Sequence, residues 1–297
     1  MTRGSRGAGP ADARRRLDDL SRAWSVVLHR TSETASSIIG FGERSGRPVV
    51  LKVATRRHDE WNAGRVVQAF AGRGMVRALE CVPGAVLLEE VRPGTPLVTL
   101  VREGRETDAH RAFVGIIEEM SAAGPEPSGY RAAGELATGF DQYLASSEGP
   151  VPRELATSAR ELYRELCGTQ REVRLLHGDL QHYNVLWDEE RGWLAIDPKG
   201  IVAELEFELG AILRNPHGVP GLHTAAGIER RMGEIGARLG LDATRVAGWT
   251  FAQAVLSAIW MIEDEGPEAR VAGVLRVARA ARSLMNGPAT GQSLRGR

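Results

Sequence analysis

The sequence predicts an α+β protein of two lobes, a small β-rich N-terminal lobe followed by a larger helical one. Three observations carry that expectation. Short β-branched and apolar runs crowd the first third of the 297-residue chain, above all Pro48-Val49-Val50-Leu51-Lys52-Val53-Ala54 and Ala85-Val86-Leu87-Leu88-Glu89-Glu90-Val91. Helical spacing dominates after the break at Arg92-Pro93-Gly94. The convincing strands of the second part flank one loop, His177-Gly178-Asp179-Leu180-Gln181-His182-Tyr183-Asn184, and the Asp197 that follows it.

Taken in order, residues 1–16 are Arg-, Gly- and Ala-rich, lack an apolar signal core and are expected to form a disordered tail leading into a helix. Strands are expected over 24–29, 36–41 and 49–54, with a turn over 40–47 joining the last two. Residues 59–71 have helical spacing and end near Gly72. The strand over 85–91 runs into the Pro-Gly break. Helices are expected at 108–122, 131–146, 152–167, 226–239, 243–264 and 267–284. The N-terminal lobe should therefore span 17–92 and the C-terminal lobe 93–297.

Composition narrows the function. The chain holds 38 Lys plus Arg and 38 Asp plus Glu, so no net charge draws it to nucleic acid or to an anionic membrane surface. No apolar run approaches the ~20 residues needed to span a bilayer. Cys81 and Cys167 lack metal-ligand spacing, which suits a reduced, cytoplasmic protein.

The loop carries the chemistry. Asp179 and Asn184 lie five positions apart, and Asp197 follows the apolar run Trp193-Leu194-Ala195-Ile196. That order suits phosphoryl transfer: Asp179 faces an acceptor hydroxyl, and Asn184 and Asp197 offer oxygen ligands to Mg²⁺. Only two of the 38 basic residues are lysine, Lys52 and Lys199. Lys52 sits inside a predicted buried strand, where an ammonium needs an anionic partner such as a nucleotide phosphate. Glu60 is the preferred carboxylate to orient Lys52, ahead of Asp59. Gly40 and Gly42 give a weak phosphate-loop signal, and Lys199 is expected in the nucleotide or metal region. Adenine is expected near Leu88–Val91, read by backbone groups of Glu90 and Val91. His177 is expected to be structural. His182 and Tyr183 are candidates for substrate contact. Glu263, Asp264 and Glu265 close a helix expected to be amphipathic and form an acidic group able to meet a cationic acceptor.

At His177–Asn184, Ile196-Asp197-Pro198-Lys199-Gly200 and Leu213-Arg214-Asn215-Pro216 the chain resembles the aminoglycoside/hydroxyurea antibiotic-resistance kinases, with the streptomycin 6-phosphotransferase branch nearest. Weaker similarity runs from Lys52 through Glu89–Gly94 to Ser257-Ala258-Ile259-Trp260. The resemblance implies a protein-kinase-like fold, ATP and Mg²⁺, and transfer of the γ-phosphate to a hydroxyl of a small, cationic antibiotic of the streptomycin type. Another aminocyclitol, amino sugar or biosynthetic metabolite is the alternative acceptor, and a nucleotide-binding regulator is the alternative outside enzymes. The chain departs from the family pattern at Tyr183, where a small residue is usual, at Glu208, where an Asp would anchor the loop from below, and at Glu204-Leu205, which replaces an acid-Pro pair.

Overall fold

The computed structural model describes residues 9–56, 59–146 and 149–285, apart from the side chains of Asp59 and Glu60. An antiparallel sheet of order β1-β2-β3-β5-β4 forms the N-terminal lobe, from β1 (Val27–Glu33), β2 (Ser37–Arg44), β3 (Arg47–Ala54), β4 (Ala78–Val82) and β5 (Ala85–Glu89). Along β3 the side chains alternate with the period of two that a strand imposes. Val49, Leu51 and Val53 turn to one face and join Ile38, Ala85 and Leu87 in a core beneath α1 (Pro10–Ala23). Val50 and Lys52 turn to the other face, toward the second lobe.

The first helix is longer than the sequence suggested. It begins at Pro10, a residue suited to a first helical position because its missing N–H would have no partner there. Ala13 and Leu17, one turn apart, are fully buried against the sheet. Residues 10–16 are thus ordered helix rather than tail; the remainder of the expected tail, 1–8, lies outside the described residues. The first strand is displaced accordingly. Ser25, at φ +56°, ends the helix and β1 starts at Val27 rather than at Trp24. The turn between β2 and β3 is tight and falls at Ser45-Gly46, both at positive φ, so β2 continues through 40–44.

The expected helix over 59–71 divides into a 3₁₀ turn (Asp59–Asn62) and α2 (Ala63–Phe70). Strand β6 (Pro93–Pro96) was read as a break because Pro and Gly punctuate it, but it pairs with β9 (Val185–Asp188). With β10 (Gly192–Ala195) these form a sheet of order β10-β9-β6, tying the segment between the lobes to the Asp179 loop.

Helices dominate the rest, as expected. After α3 (Val98–Arg102) and α4 (Glu106–Ala123), the anticipated helix over 131–146 proves to be β7 (Arg131–Ala132), a 3₁₀ turn and α5 (Thr138–Ala145). Then come α6 (Arg153–Gly168), β8 (Arg174–Leu176), β11 (Ile201–Ala203), α7 (Leu209–Arg214), α8 (Ala225–Leu239), α9 (Ala243–Glu263) and α10 (Glu268–Met285). Helix α9 is not amphipathic: Val246 to Leu256 is buried without interruption, with Trp249 enclosed by Tyr163 and Phe207 rings. It is long and apolar enough to cross a membrane by length and composition, contrary to the sequence expectation, yet 72% of its apolar window is buried in the protein. Such burial on all sides marks the central helix of a globular core.

That core also encloses polar groups. Burial pushes the imidazoles of His110, His182, His217 and His223 below their ordinary 6.5, His223 to about 4. A histidine whose folded value lies below its unfolded one binds its proton more readily in the unfolded chain. Stability is therefore complete above pH 6.5 and declines as pH falls toward 4; Glu208, which burial pushes up, acts in the opposite sense. The expected result is a Tm that drops steadily from pH 6.5 to pH 4 in calorimetry. Both ring nitrogens of His182 are buried without a hydrogen-bond partner, so His182→Phe should raise stability at pH 5 by about 1–3 kcal/mol.

Candidate active site

The Asp179 loop leaves β8 and returns as β9, and nearly every polar group in it is tied down. His177 is fully buried; its Nε2 donates to Ile196 O at 2.8 Å and its Nδ1 accepts from Asp179 N–H at 3.2 Å. The carbonyl of His177 accepts from both Lys199 N–H and Gly200 N–H, at 2.8 and 3.0 Å. One structural imidazole and its own carbonyl therefore join the Asp179 loop to the Asp197 loop.

Glu208 holds the loop from below. Its carboxylate accepts from Gly178 N–H at 3.0 Å and Leu180 N–H at 3.3 Å. Its side chain is one methylene longer than the Asp expected there, and it still reaches two amides. Gly178 stands at φ +81°, and a Cβ there would lie 2.5 Å from the Ile201 side chain, so the loop admits only glycine at this point.

Asn184 donates from Nδ2 to Asp179 O at 2.9 Å, which presents the two side chains from one turn. Ile196 N–H donates to Asn184 O at 2.9 Å and places Asp197 directly beyond. Asp197 itself stands at φ +62°, a conformation that L-residues other than Asn and Asp seldom hold, and such strain concentrates at functional positions. Lys52 Nζ pairs with Asp197 Oδ1 across the cleft. The four residues singled out by sequence are thus brought to one place. Glu60, the expected partner of Lys52, has its side chain outside the described residues. Asn184 and Asp197 are oxygen donors of the kind a hard divalent cation takes when nucleotide phosphates complete its shell. No group of three His, Cys, Asp or Glu side chains among the described residues forms a separate metal cage.

Beside Lys52 the two lobes enclose a cleft of about 310 Å³. Ile39, Val50, Val67, Leu88, Leu186 and Ile196 give it apolar walls, and Lys52 and Asp197 stand at its charged end. Glu90 and Val91 line it as expected. The Glu90 N–H is committed to Pro48 O at 3.2 Å, which leaves the Glu90 carbonyl and the Val91 N–H as the groups to read a planar ligand's edge.

Several expectations need correction. Gly40 and Gly42 lie inside β2, opposite Leu51 and Val49, and not in a phosphate-facing turn. A Cβ at Gly42 would meet Val27 O at 2.1 Å, so these glycines let β1 and its side chains approach closely. The turn at the Lys52 end of the β2–β3 pair is instead 34–36, where Thr34 Oγ1 accepts from the N–H groups of Ser36 and Ser37. His182 does not reach a substrate: it is fully buried, edge-on to the Phe113 ring at 4.8 Å. Lys199, expected in the nucleotide or metal region, does not line the cleft beside Lys52 but has its Nζ 3.9 Å from Asp179 Oδ2. Tyr183 is 41% exposed on the loop's outer side, 3.4 Å from the Arg102 guanidinium. Glu263, Asp264 and Glu265 are exposed at the end of α9, with Glu263 one turn beyond Trp260. Trp260 lines a small cavity with Gly178, Lys199 and Arg214.

Arg214 was not picked out by sequence reasoning as a site residue. Its guanidinium lies 3.6 Å from Asp179 Oδ1 and accepts no solvent-facing role, being 12% exposed. The signal available was the Leu213-Arg214-Asn215-Pro216 run, which carried a resemblance but no stated chemistry.

Residues 21–265 match the family described as aminoglycoside/hydroxyurea antibiotic resistance kinase. The chain belongs to this family. It is 32% identical over 246 residues to a streptomycin 3''-kinase of Klebsiella pneumoniae, covering 80% of this chain and 90% of the relative. A hydroxyurea phosphotransferase of Kitasatospora aureofaciens is 35% identical over 226 residues, 69% of this chain and 60% of that one. A streptomycin 6-kinase of Streptomyces glaucescens is 28% identical, covering 84% and 82%. Among solved structures, a choline kinase from Streptococcus pneumoniae superposes with a TM-score of 0.65 at 14% identity over 92% of this chain and 99% of that one. The aminoglycoside phosphotransferase APH(4)-Ia, in complex with ADP and hygromycin B, gives 0.64 at 15% identity over 90% and 98%. The fold is that of the protein-kinase-like phosphotransferases, and the family member described here is an ATP-dependent small-molecule phosphotransferase.

Glu208 is the first residue to test. Glu208→Ala would leave the Gly178 and Leu180 amides without an acceptor, and the expected loss of stability is roughly 2–5 kcal/mol. Hydrogen exchange at those two amides should accelerate by about tenfold or more relative to the β8 amides. Unchanged protection would mean that other contacts hold the loop.

Proposed function

We propose that this protein transfers the γ-phosphate of ATP to a hydroxyl of a streptomycin-type aminoglycoside, a resistance reaction. The observation that carries the reading is the union of Asp179 and Asn184 on one tethered turn with Asp197 and Lys52 across it. Asp179 positions the acceptor hydroxyl and takes its proton as the oxygen–phosphorus bond forms. The bond between the γ-phosphorus and the β–γ bridging oxygen breaks, and the electron pair leaves with ADP. Lys52, on the cleft side of β3 beside Asp197, orients the α- and β-phosphates. Asn184 and Asp197 would hold Mg²⁺, which when bound would neutralise charge on the donor phosphates. Adenine occupies the apolar cleft against Leu88 and Leu186, with Glu90 and Val91 at its edge. Positioning and electrostatics supply the rate, since the protein forms no covalent bond.

The acceptor lies on the helical lobe, between Asp179 and the acids beyond Trp260. The kinship with streptomycin kinases supports that choice of acceptor. Lys199 and Arg214 beside Asp179 favour a second reading, an amino sugar or biosynthetic metabolite with less positive charge at the reacting hydroxyl. The reaction belongs in the cytoplasm, where ATP is supplied and the thiols of Cys81 and Cys167 stay reduced.

Incubating the protein with ATP, Mg²⁺ and a panel of aminoglycosides and amino sugars, with products read by mass, tests the reading. Phosphorylated streptomycin is the expected product. Asp179→Asn should lower kcat by roughly 10²–10⁴-fold while ATP affinity is retained. Full turnover by a folded Asp179→Asn protein would remove Asp179 from the mechanism.

The acceptor site has its own test. Replacing Glu263, Asp264 and Glu265 together by Gln or Asn should raise the streptomycin KM, with little change in the ATP KM. The effect should shrink as salt is added, because each exposed charge pair contributes only ~0.2–1 kcal/mol and is screened. An acceptor KM that does not move at low salt would place the acceptor elsewhere.

A further inference from the structure

Asp179 is bracketed by two cations of very different setting. Arg214 approaches Oδ1 at 3.6 Å and Lys199 approaches Oδ2 at 3.9 Å. Both separations exceed hydrogen-bond length, so neither contact is a closed pair. The two side chains converge on one small cavity of about 30 Å³, together with Gly178, Gln253 and Trp260. That is room for roughly two water-sized atoms, or for oxygens of a larger group entering from the Asp179 side.

Holding Arg214 there takes an extensive scaffold. It donates to Gln253 Oε1 at 3.0 Å, while Gln253 Nε2 donates to Phe207 O at 2.7 Å. A Cβ at Gly210 would stand 2.4 Å from Gln253 Oε1, so glycine at that position makes room for the glutamine. Arg214 is the last residue of α7, and the end of α7 is clamped by a second arginine. Arg231, with no exposed surface, donates to Ile212 O, Leu213 O and Asn215 O at 2.7, 2.9 and 2.6 Å. Asn215 Nδ2 donates back to Ala211 O at 3.0 Å. Lys199 is pinned through its backbone to His177 O. Burying a guanidinium is unfavourable unless its donors are used, and burial lowers the Arg214 pKa while Asp179 and Glu208 oppose that shift.

A carboxylate that accepts a proton gains nothing from two fixed cations at its flanks unless negative charge arrives beside it. In the phosphotransfer just described, that charge is the transferring phosphoryl group and then the phosphate monoester. We propose that Arg214 and Lys199 form an oxyanion subsite for the transferred phosphoryl group, opposite Lys52 and the metal site. Lys52 holds the donor phosphates; Arg214 and Lys199 meet the non-bridging oxygens of the phosphorus as it moves from the β–γ bridging oxygen to the acceptor oxygen. Atoms balance as in the parent reaction: the proton goes to Asp179, the phosphoryl group to the acceptor oxygen, and the electron pair to ADP. Arg214 and Lys199 neither gain nor lose a proton. This assignment rests on the kinase reading and adds the site on the product side.

The test needs no identified acceptor. ADP binding is measured calorimetrically with Mg²⁺, with and without tetrafluoroaluminate, a planar anion that mimics the phosphoryl group in flight. Tetrafluoroaluminate should tighten ADP binding by about tenfold or more in the wild-type protein. Arg214→Gln and Lys199→Gln should each lose most of that gain, with ADP alone bound within about twofold of wild type, and Arg214→Lys should keep part of it. Lys199 is half-buried, so its variant stays informative should Arg214→Gln fail to fold. Equal tightening in the wild type and both variants, or none in the wild type, overturns the subsite. Failure of the wild type to bind ADP at all would strike the kinase reading itself and the subsite with it.

Discussion

The geometry of the cleft hangs on a carboxylate placed beneath it. Glu208 accepts from Gly178 and Leu180, and the His177 ring above it bridges Ile196 O and Asp179 N–H. Between them these two side chains determine where the Asp179 loop and the Asp197 loop lie relative to one another. Without them the backbone amides of a glycine-containing turn would face the apolar interior unmatched, at a penalty of roughly 1–3 kcal/mol each. The same contacts deliver Asn184 to the Asp179 carbonyl and allow Asp197 to hold a positive φ. A buried acid is tolerable there because two N–H donors converge on it.

From that base the cations of the site separate into two groups, one at Asp197 and one at Asp179. Lys52 stands on the N-terminal sheet and meets Asp197 across the cleft. Lys199 and Arg214 stand on the helical lobe and meet Asp179. The division follows from strand and helix geometry. Period-two alternation on β3 turns Lys52 away from the α1 core and into the cleft, while Leu51 and Val53 on either side are buried beneath α1. The end of α7, clamped by Arg231, aims Arg214 at the loop from the opposite side. Two neighbouring carboxylates, Asp197 and Asp179, thus meet cations drawn from separate lobes.

Much of this was legible in the residues. The β-branched run of Pro48–Ala54 announced a strand, and its lone lysine announced a partner. The spacing of Asp179, Asn184 and Asp197 announced a shared site, and the helical periods after residue 108 gave most of the C-terminal lobe. Errors arose where local signals and long-range pairing disagree. Pro93-Gly94-Thr95-Pro96 has the composition of a turn, yet an edge position against β9 lets it act as a strand without the N–H groups that Pro lacks. Gly40 and Gly42 suggested a phosphate loop, but the glycines serve the close approach of β1. His182 suggested substrate contact from its place in the loop, and only the packing of Phe113 shows that its ring points inward.

The sequence by itself determined the two-lobe fold, the strand that carries Lys52, and the family to which the chain belongs, because these depend on local composition, periodicity and short motifs. The tertiary structure decided which charges meet. Arg214 reaches Asp179 from 35 positions away along the chain through Gln253 and Arg231, neither of which carries a local pattern. Lys199, expected in the nucleotide or metal region, meets Asp179, its backbone held by the His177 carbonyl. A side chain's partners are settled by which elements pack together, and no window of neighbouring residues contains that information.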